Sequence, residues 1–299
     1  MFDQFVFVDW SANSKPKTGK DSIWIADAVG TSAISVHNPA TRDEATDYVL
    51  ALLRQAVTEK RRVLVGFDFA YSYPLSVLHR IAARQGPRDF SSLWRTLHER
   101  IQDHSDNSND RYSFAAWANE YWFEHHYFWG FPSAPQATST WLESTKRKSG
   151  LPEFRLAELQ ARGTQPIRKL AYPGSVGSQA LLGMRRLHAI RNHPTLVEHS
   201  CVWPMETGFS LPSLEQGAPL IVHAEIYPTP APRLVKEAGI AIPATVADMV
   251  NDARQVWSCA ALARHEDSNG LLANRFKQPS ALNEVETEQA QREGWILWT

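Results

Sequence analysis

Residues Phe5 to Val8 form an unbroken apolar run that stops at Asp9, the pattern of a strand covered on both faces. Ser22 to Ala28 and Ala33 to His37 follow on either side of Gly30 and end at Pro39, so the first three strands read as an antiparallel meander. Thr41 with Glu44 three residues on is a capping box, and Ala45, Tyr48, Val49, Leu52, Leu53, Ala56 and Val57 recur behind it at helical spacing. Arg62 to Phe69 predicts another strand, carrying Val63, Leu64 and Val65 into Gly66 and Asp68 before Pro74 stops it.

The pattern then changes for more than a hundred residues. Helices are expected over Phe90 to Ile101, Tyr112 to Tyr127 and Val176 to Ile190, separated by turn-rich, polar chain. A segment of that length is too long for a connection and reads as an insertion with structure of its own. Leu220 to Ile226 resumes the strand pattern. Ala244 to His265 predicts one last helix, with Val246, Met249, Val250, Ala253, Trp257, Ala260, Ala261 and Arg264 along one face, apolar except for the last. The division that follows is a single domain over 1–299, with core 1–87 and 217–268, a mainly helical insertion 88–216 and a polar tail 269–299 whose Trp295 to Trp298 docks back on the body.

Composition narrows the setting. With 43% hydrophobic and 21% charged residues the chain can bury a large core. The apolar start is too short for a secretory segment, no stretch nears the roughly 20 apolar residues of a membrane span, and two distant cysteines, Cys201 and Cys259, fit a reducing compartment. A cytoplasmic protein with no membrane partner is expected. A net charge of −1 lacks the basic excess with which nonspecific nucleic-acid binders neutralise phosphates.

Three strands carry an acid where an acid is costly: Asp9 after FVFV, Asp68 after VLVGF and Glu225 within IVHAEIY. A carboxylate at the end of an apolar strand must be paired, protonated or bound to a cation. Acids that converge repel one another unless a divalent ion lies between them, and oxygen ligands suit Mg²⁺ or Mn²⁺. On the last predicted helix, Asp248 and Asp252 share a flank at i, i+4, with Asp252 nearer the apolar stripe.

The order of elements looks like the ribonuclease H-like arrangement: a three-strand antiparallel meander plus parallel strands in one mixed sheet, flanked by helices. The phrases VDWSA, GFDFAYSYP, AEIYPTP and NDARQVWSCAALA resemble an uncharacterised ribonuclease H-like family of predicted nucleases. FWG at Phe128, FRLAE at Phe154, GSVGSQALLG at Gly174 and WPMETG at Trp203 look like segments of a bacterial branch of it. The resemblance implies adjacent strands for Asp9 and Asp68. It implies a metal site of Asp9, Asp68, Glu225 and Asp252 that hydrolyses a phosphodiester of a nucleic acid or small nucleotide, with two ions about 4 Å apart.

Further residues are candidates for holding substrate. Ser11 and Lys20 lie in the loop after Asp9, and Ser175 lies in a glycine- and serine-rich helix start able to present backbone N–H groups to an anion. Arg155, Gln179 and Glu206 fall inside the family-like phrases and Lys169 between two of them, although surface ion pairs explain such residues almost as well. The aromatic concentration from Trp117 to Phe131 reads mostly as packing, with Phe128 and Trp129 as stacking candidates. The histidines show no zinc-ligand spacing, and no GxSxG elbow is present. Two other functions compete: an actin-like nucleotide-dependent phosphotransferase, suggested by the Asp9 to Lys20 loop between two strands, and a noncatalytic binding module.

Overall fold

Gln4–Asp9 (β1) is apolar on both faces because each face meets its own layer of helices. The computed structural model describes residues 1–131, 140–161, 163–211 and 217–299. β1 pairs antiparallel with Trp24–Val29 (β2), which pairs antiparallel with Ser35–His37 (β3). On its other side β1 runs parallel to Arg62–Phe67 (β4). Two further strands, Ser200–Val202 (β5) and Leu220–Ile226 (β6), complete the order β3-β2-β1-β4-β6-β5, and the short Ile296–Leu297 (β7) also pairs with β6. The protein is thus a mixed α/β fold around a seven-stranded sheet of antiparallel and parallel strands, flanked by helices.

Strand alternation sorts the side chains between the two layers. Val6, Val8, Val63, Val65 and Phe67 face one hydrophobic cluster, shared with Arg42–Thr58 (α1) and with three later helices: Leu75–Ala83 (α2), Phe90–Arg100 (α3) and, beyond Arg111–Ala118 (α4) and Leu156–Gln160 (α5), Gly177–Arg191 (α6). Phe5, Phe7, Leu64, Val222 and Ala224 face the other. Across that face, past Ala231–Glu237 (α7) and Ala244–Ala247 (α8), lies Asn251–Ser268 (α9), which contributes Val256, Cys259, Ala260 and Ala263. Thr41 caps α1, accepting from the Glu44 N–H at 3.1 Å, but the expected capping box forms only in part, because Glu44 Oε2 accepts from the Ala40 N–H, one residue before the cap, at 2.8 Å.

Three expectations change. The helix read from Ala244 to His265 is two helices, because Val250 is extended (φ −59°, ψ 158°) between α8 and α9. Val246 packs on Trp257 and Ala261 of α9, so the apolar stripe belonged to two elements folded onto each other. Asp248, at the end of α8, therefore shares no helix with Asp252. The helix expected over Tyr112 to Tyr127 stops at Ala118 and widens into a π turn over Asn119–Phe123, closed by Glu124 at φ 50°. The polar tail holds a helix of its own, Glu284–Glu293 (α10), started by an Asn283 capping box, while Trp295 and β7 are buried against the sheet as expected.

Residues 88–216 supply β5 to the sheet and α3 and α6 to the cluster under β1 and β4. The boundary expected at residue 216 and the loop after Phe131 lie outside the described residues. Among the described residues, no helix is long and apolar enough to cross a membrane.

Candidate active site

Asp9 is the last residue of β1, and Asp68 follows the last residue of β4. The parallel register pairs Val8 with Phe67, so the next step along both strands sets the two acids side by side. The Asp68 N–H donates to the Val8 carbonyl at 3.2 Å. By alternation both side chains fall on the face of Phe7 and Gly66, toward α9. No larger residue fits at Gly66, where a Cβ would lie 2.7 Å from Ile226 Cγ2 and 2.8 Å from Phe7 Cδ1.

The pair shares a side-chain hydrogen bond. Burial, then the charges of Asp68 and Asp252, hold Asp9 well above the usual carboxylate range. Burial pushes Asp68 up to about 7, against the lowering effect of the Trp10 N–H and of the hydrogen bond to Asp9. The Trp10 N–H donates to Asp68 Oδ1 at 2.7 Å, and the Gln179 amide donates to Oδ2 at 3.3 Å and to the Trp10 carbonyl. Neither acid has a lysine or arginine partner among the described residues. Asp252, in the first turn of α9, adds negative charge beside Asp9, and its Oδ2 accepts from the Asp21 N–H at 2.7 Å, fixing the β1–β2 loop to the helix. Cys259 lies one layer behind, its thiol raised by burial and then by Asp9 and Asp68.

Glu225 does not join this group. It pairs in register with Phe67, one residue before Asp68, and lines the same small cleft as Asp68, but its oxygens are already taken. The buried Arg155 holds both of them, Nη1 to Oε2 at 2.8 Å and Nη2 to Oε1 at 2.6 Å, while the Tyr71 N–H donates to Oε2 at 3.0 Å. Arg155 also pairs with Glu158 and donates to the Glu293 carbonyl at 3.1 Å. With no exposed surface and two carboxylates of its own, it is not available to a substrate phosphate. The expected four-acid cluster is therefore a pair, Asp9 and Asp68, with Asp252 alongside. Among the described residues, no three His, Cys, Asp or Glu side chains are arranged to hold a metal ion.

A cleft of about 560 Å³ opens on the Asp9 side and a smaller one of about 200 Å³ on the Asp68 side, with Gln179 lining both. Ser11 and Ser175 line the larger cleft, though the Ser11 hydroxyl accepts from the Asn13 amide at 2.6 Å. Gln179 works as a brace on Asp68 and is placed there by α6. Gly183 brings that helix against Phe69, where any Cβ would overlap the ring.

The remaining candidates lie elsewhere. Lys20 is exposed and lines neither cleft. Trp129 and Lys169 engage each other, the ammonium 5.8 Å from the ring centroid and also bonded to the Pro173 carbonyl. Glu206 pairs with Arg191 at 2.8 Å and caps the Val202 N–H at 2.7 Å. The aromatic segment packs on itself, with Trp122, Tyr127 and Phe128 buried. Sequence reading missed Arg111, Tyr112 and Tyr172, all of which line the larger cleft; the positive φ of Tyr172 (74°) left no trace in the residue pattern.

No protein-family model, no curated protein and no solved structure matches this chain.

Proposed function

We propose that the protein hydrolyses phosphodiesters with the help of a divalent cation, Mg²⁺ or Mn²⁺, held by Asp9 and Asp68 on a ribonuclease H-like core. The observation that carries this reading is the acid pair itself: two neighbouring carboxylates at the ends of parallel strands, hydrogen-bonded and pushed up in pKa, with no cationic partner among the described residues. Open α/β sheets bind ligands at this edge, and acids left without partners cluster at functional sites. The strand order β3-β2-β1-β4-β6-β5, with β1, β4 and β6 parallel, supports the finer fold assignment.

The donor set fits such an ion. Mg²⁺ is commonly held by one or two carboxylates, with waters and substrate oxygens in its other positions, so Glu225 is not needed. A bound divalent ion would polarise the phosphoryl oxygen and acidify water. The chain's own groups do the rest. The Trp10 N–H and the Gln179 amide fix the Asp68 carboxylate, and ionised Asp9 and Asp68 present negative oxygens to the cation. Asp252, tied to the Asp21 backbone, flanks the cleft. In the overall reaction a water oxygen bonds to phosphorus, the ester P–O bond breaks, and the departing oxygen gains a proton.

The test is turnover of bis(p-nitrophenyl) phosphate, single- and double-stranded DNA, and RNA by the full chain with Mg²⁺ or Mn²⁺. Activity lost in chelator and reduced at least a hundredfold in Asp68→Asn is expected. No turnover of any of these, with no change in melting temperature on adding either ion, would sink the proposal.

A further inference from the structure

Five described arginines are nine-tenths or more buried: Arg42, Arg111, Arg155, Arg168 and Arg186. Four of them have carboxylate partners: Asp103 for Arg42 and Arg186, Glu153 for Arg168, and Glu158 with Glu225 for Arg155. Arg111, 7% exposed, has none among the described residues. Its four hydrogen bonds all go to neutral oxygens, those of Ser178 (2.9 Å), Ser14 (3.0 Å), Asn109 (2.6 Å) and Tyr112 (3.2 Å). Burying a cation without a paired counter-charge is costly, and Asp103, whose charge reaches Arg111, is already paired with Arg42 and Arg186. Where the rest of the fold supplies carboxylates to such groups, this position withholds one.

Arg111 lines the larger cleft, which Asp9 and Asp252 also line. The charge of Arg111 is the main attraction it offers a phosphate, together with the one Nη2 N–H that its four hydrogen bonds leave over. The same cleft is walled by two tyrosines. Tyr112 lies under the guanidinium, 4.4 Å from its carbon to the ring centroid. Tyr172 is 43% exposed and held at φ 74°, a conformation that costs a bulky residue energy and recurs at ligand sites. Its hydroxyl donates to the Phe131 carbonyl at 2.7 Å, which fixes the ring at the cleft. A volume of about 560 Å³ suits a small organic ligand.

The geometry points to Arg111 as the binding site for a phosphate group on a small aromatic substrate, of the nucleoside monophosphate class, whose ring lies against Tyr112 and Tyr172. The inference deepens the hydrolytic reading and rests on it only in taking Asp9, which lines the same cleft and adjoins Asp68, as the reacting end. Substrate would then span from a reacting diester at Asp9 and Asp68 to a second, non-reacting phosphate at Arg111.

Calorimetry on the full chain, in chelator at pH 6, with adenosine 5′-monophosphate and with adenosine as probes, tests this without hydrolysis. The monophosphate is expected to bind at least tenfold more tightly than adenosine. Arg111→Gln should bring that ratio to within twofold. Ser14→Asp should do the same: it places a carboxylate beside Nη1 from an exposed position, so it serves where loss of the arginine impairs folding. Equal affinities in the wild type, no binding of the monophosphate, or an unchanged ratio in either folded variant overturns the inference. Tight monophosphate binding in a protein that hydrolyses nothing would sink the hydrolytic reading alone. Turnover of bis(p-nitrophenyl) phosphate with a ratio of one would sink the Arg111 assignment alone.

Discussion

Asp68 and Glu225 stand at the ends of neighbouring parallel strands, one residue apart in register, yet they live in opposite electrostatic settings. Glu225 is completed by Arg155, whose second carboxylate, Glu158, makes a buried network with a positive centre. Asp68 has an amide, a backbone N–H and another acid. A buried charge that is fully partnered holds elements together, here α5, β6 and α10 through the Glu293 carbonyl. One left among its own kind stores instability that only a proton or a cation relieves. The difference separates framework from chemistry more sharply than burial does.

The largest effect should come from breaking the framework side. Arg155→Met leaves Glu158 and Glu225 facing each other unpaired and should cost about 3–5 kcal/mol, measured by urea unfolding; a cost below about 1 kcal/mol would erase the contrast. The opposite sign is expected at the other site. Asp68→Asn removes the repulsion and should stabilise the metal-free protein by about 1–3 kcal/mol at pH 8 while abolishing turnover.

That gain depends on pH in a defined direction. Asp68 is raised in the folded protein from an ordinary carboxylate value to about 7, so the fold prefers its protonated form. The stability this contributes is complete below about pH 4 and is lost as pH rises through about 7. Denaturation midpoints of wild type and Asp68→Asn should accordingly converge in acid and separate above pH 7.

Mg²⁺ at ten to a hundred times its dissociation constant should restore about 1.4–2.7 kcal/mol, growing as pH rises through 7 and absent in Asp68→Asn; thermal melts would show it. The smallest change is expected for Gln179→Ala, about 1 kcal/mol or less. Because the Gln179 hydrogen bond lowers the Asp68 pKa, its loss should move the acid limb of the pH–rate profile upward. An unmoved limb would reduce Gln179 to packing.

The acid-ended runs FVFVD and VLVGFD were legible because a charge after a doubly covered strand has few harmless explanations. Glu225 misled because an acid beside Asp68 in the smaller cleft looks the same in sequence whether or not a buried arginine claims both of its oxygens. Arg155 lies 70 residues from its partner, so the pairing that withdraws Glu225 has no local mark. The break at Val250 was hidden by an apolar stripe that continues across it. Arg111 was invisible because its distinction is the lack of a carboxylate, a property of everything around it and of nothing in its own segment.

Cys259 sits in the α9 layer directly behind the acid pair, which makes it a natural clock for local opening. A thiol sealed there can be alkylated only when α9 parts from β1, so with Cys201 replaced by serine the labelling rate reads how often that seam breathes. Occupation of the acids by a cation should slow the clock, and the slowing would report the ligand from the rear of the site, without touching the cleft.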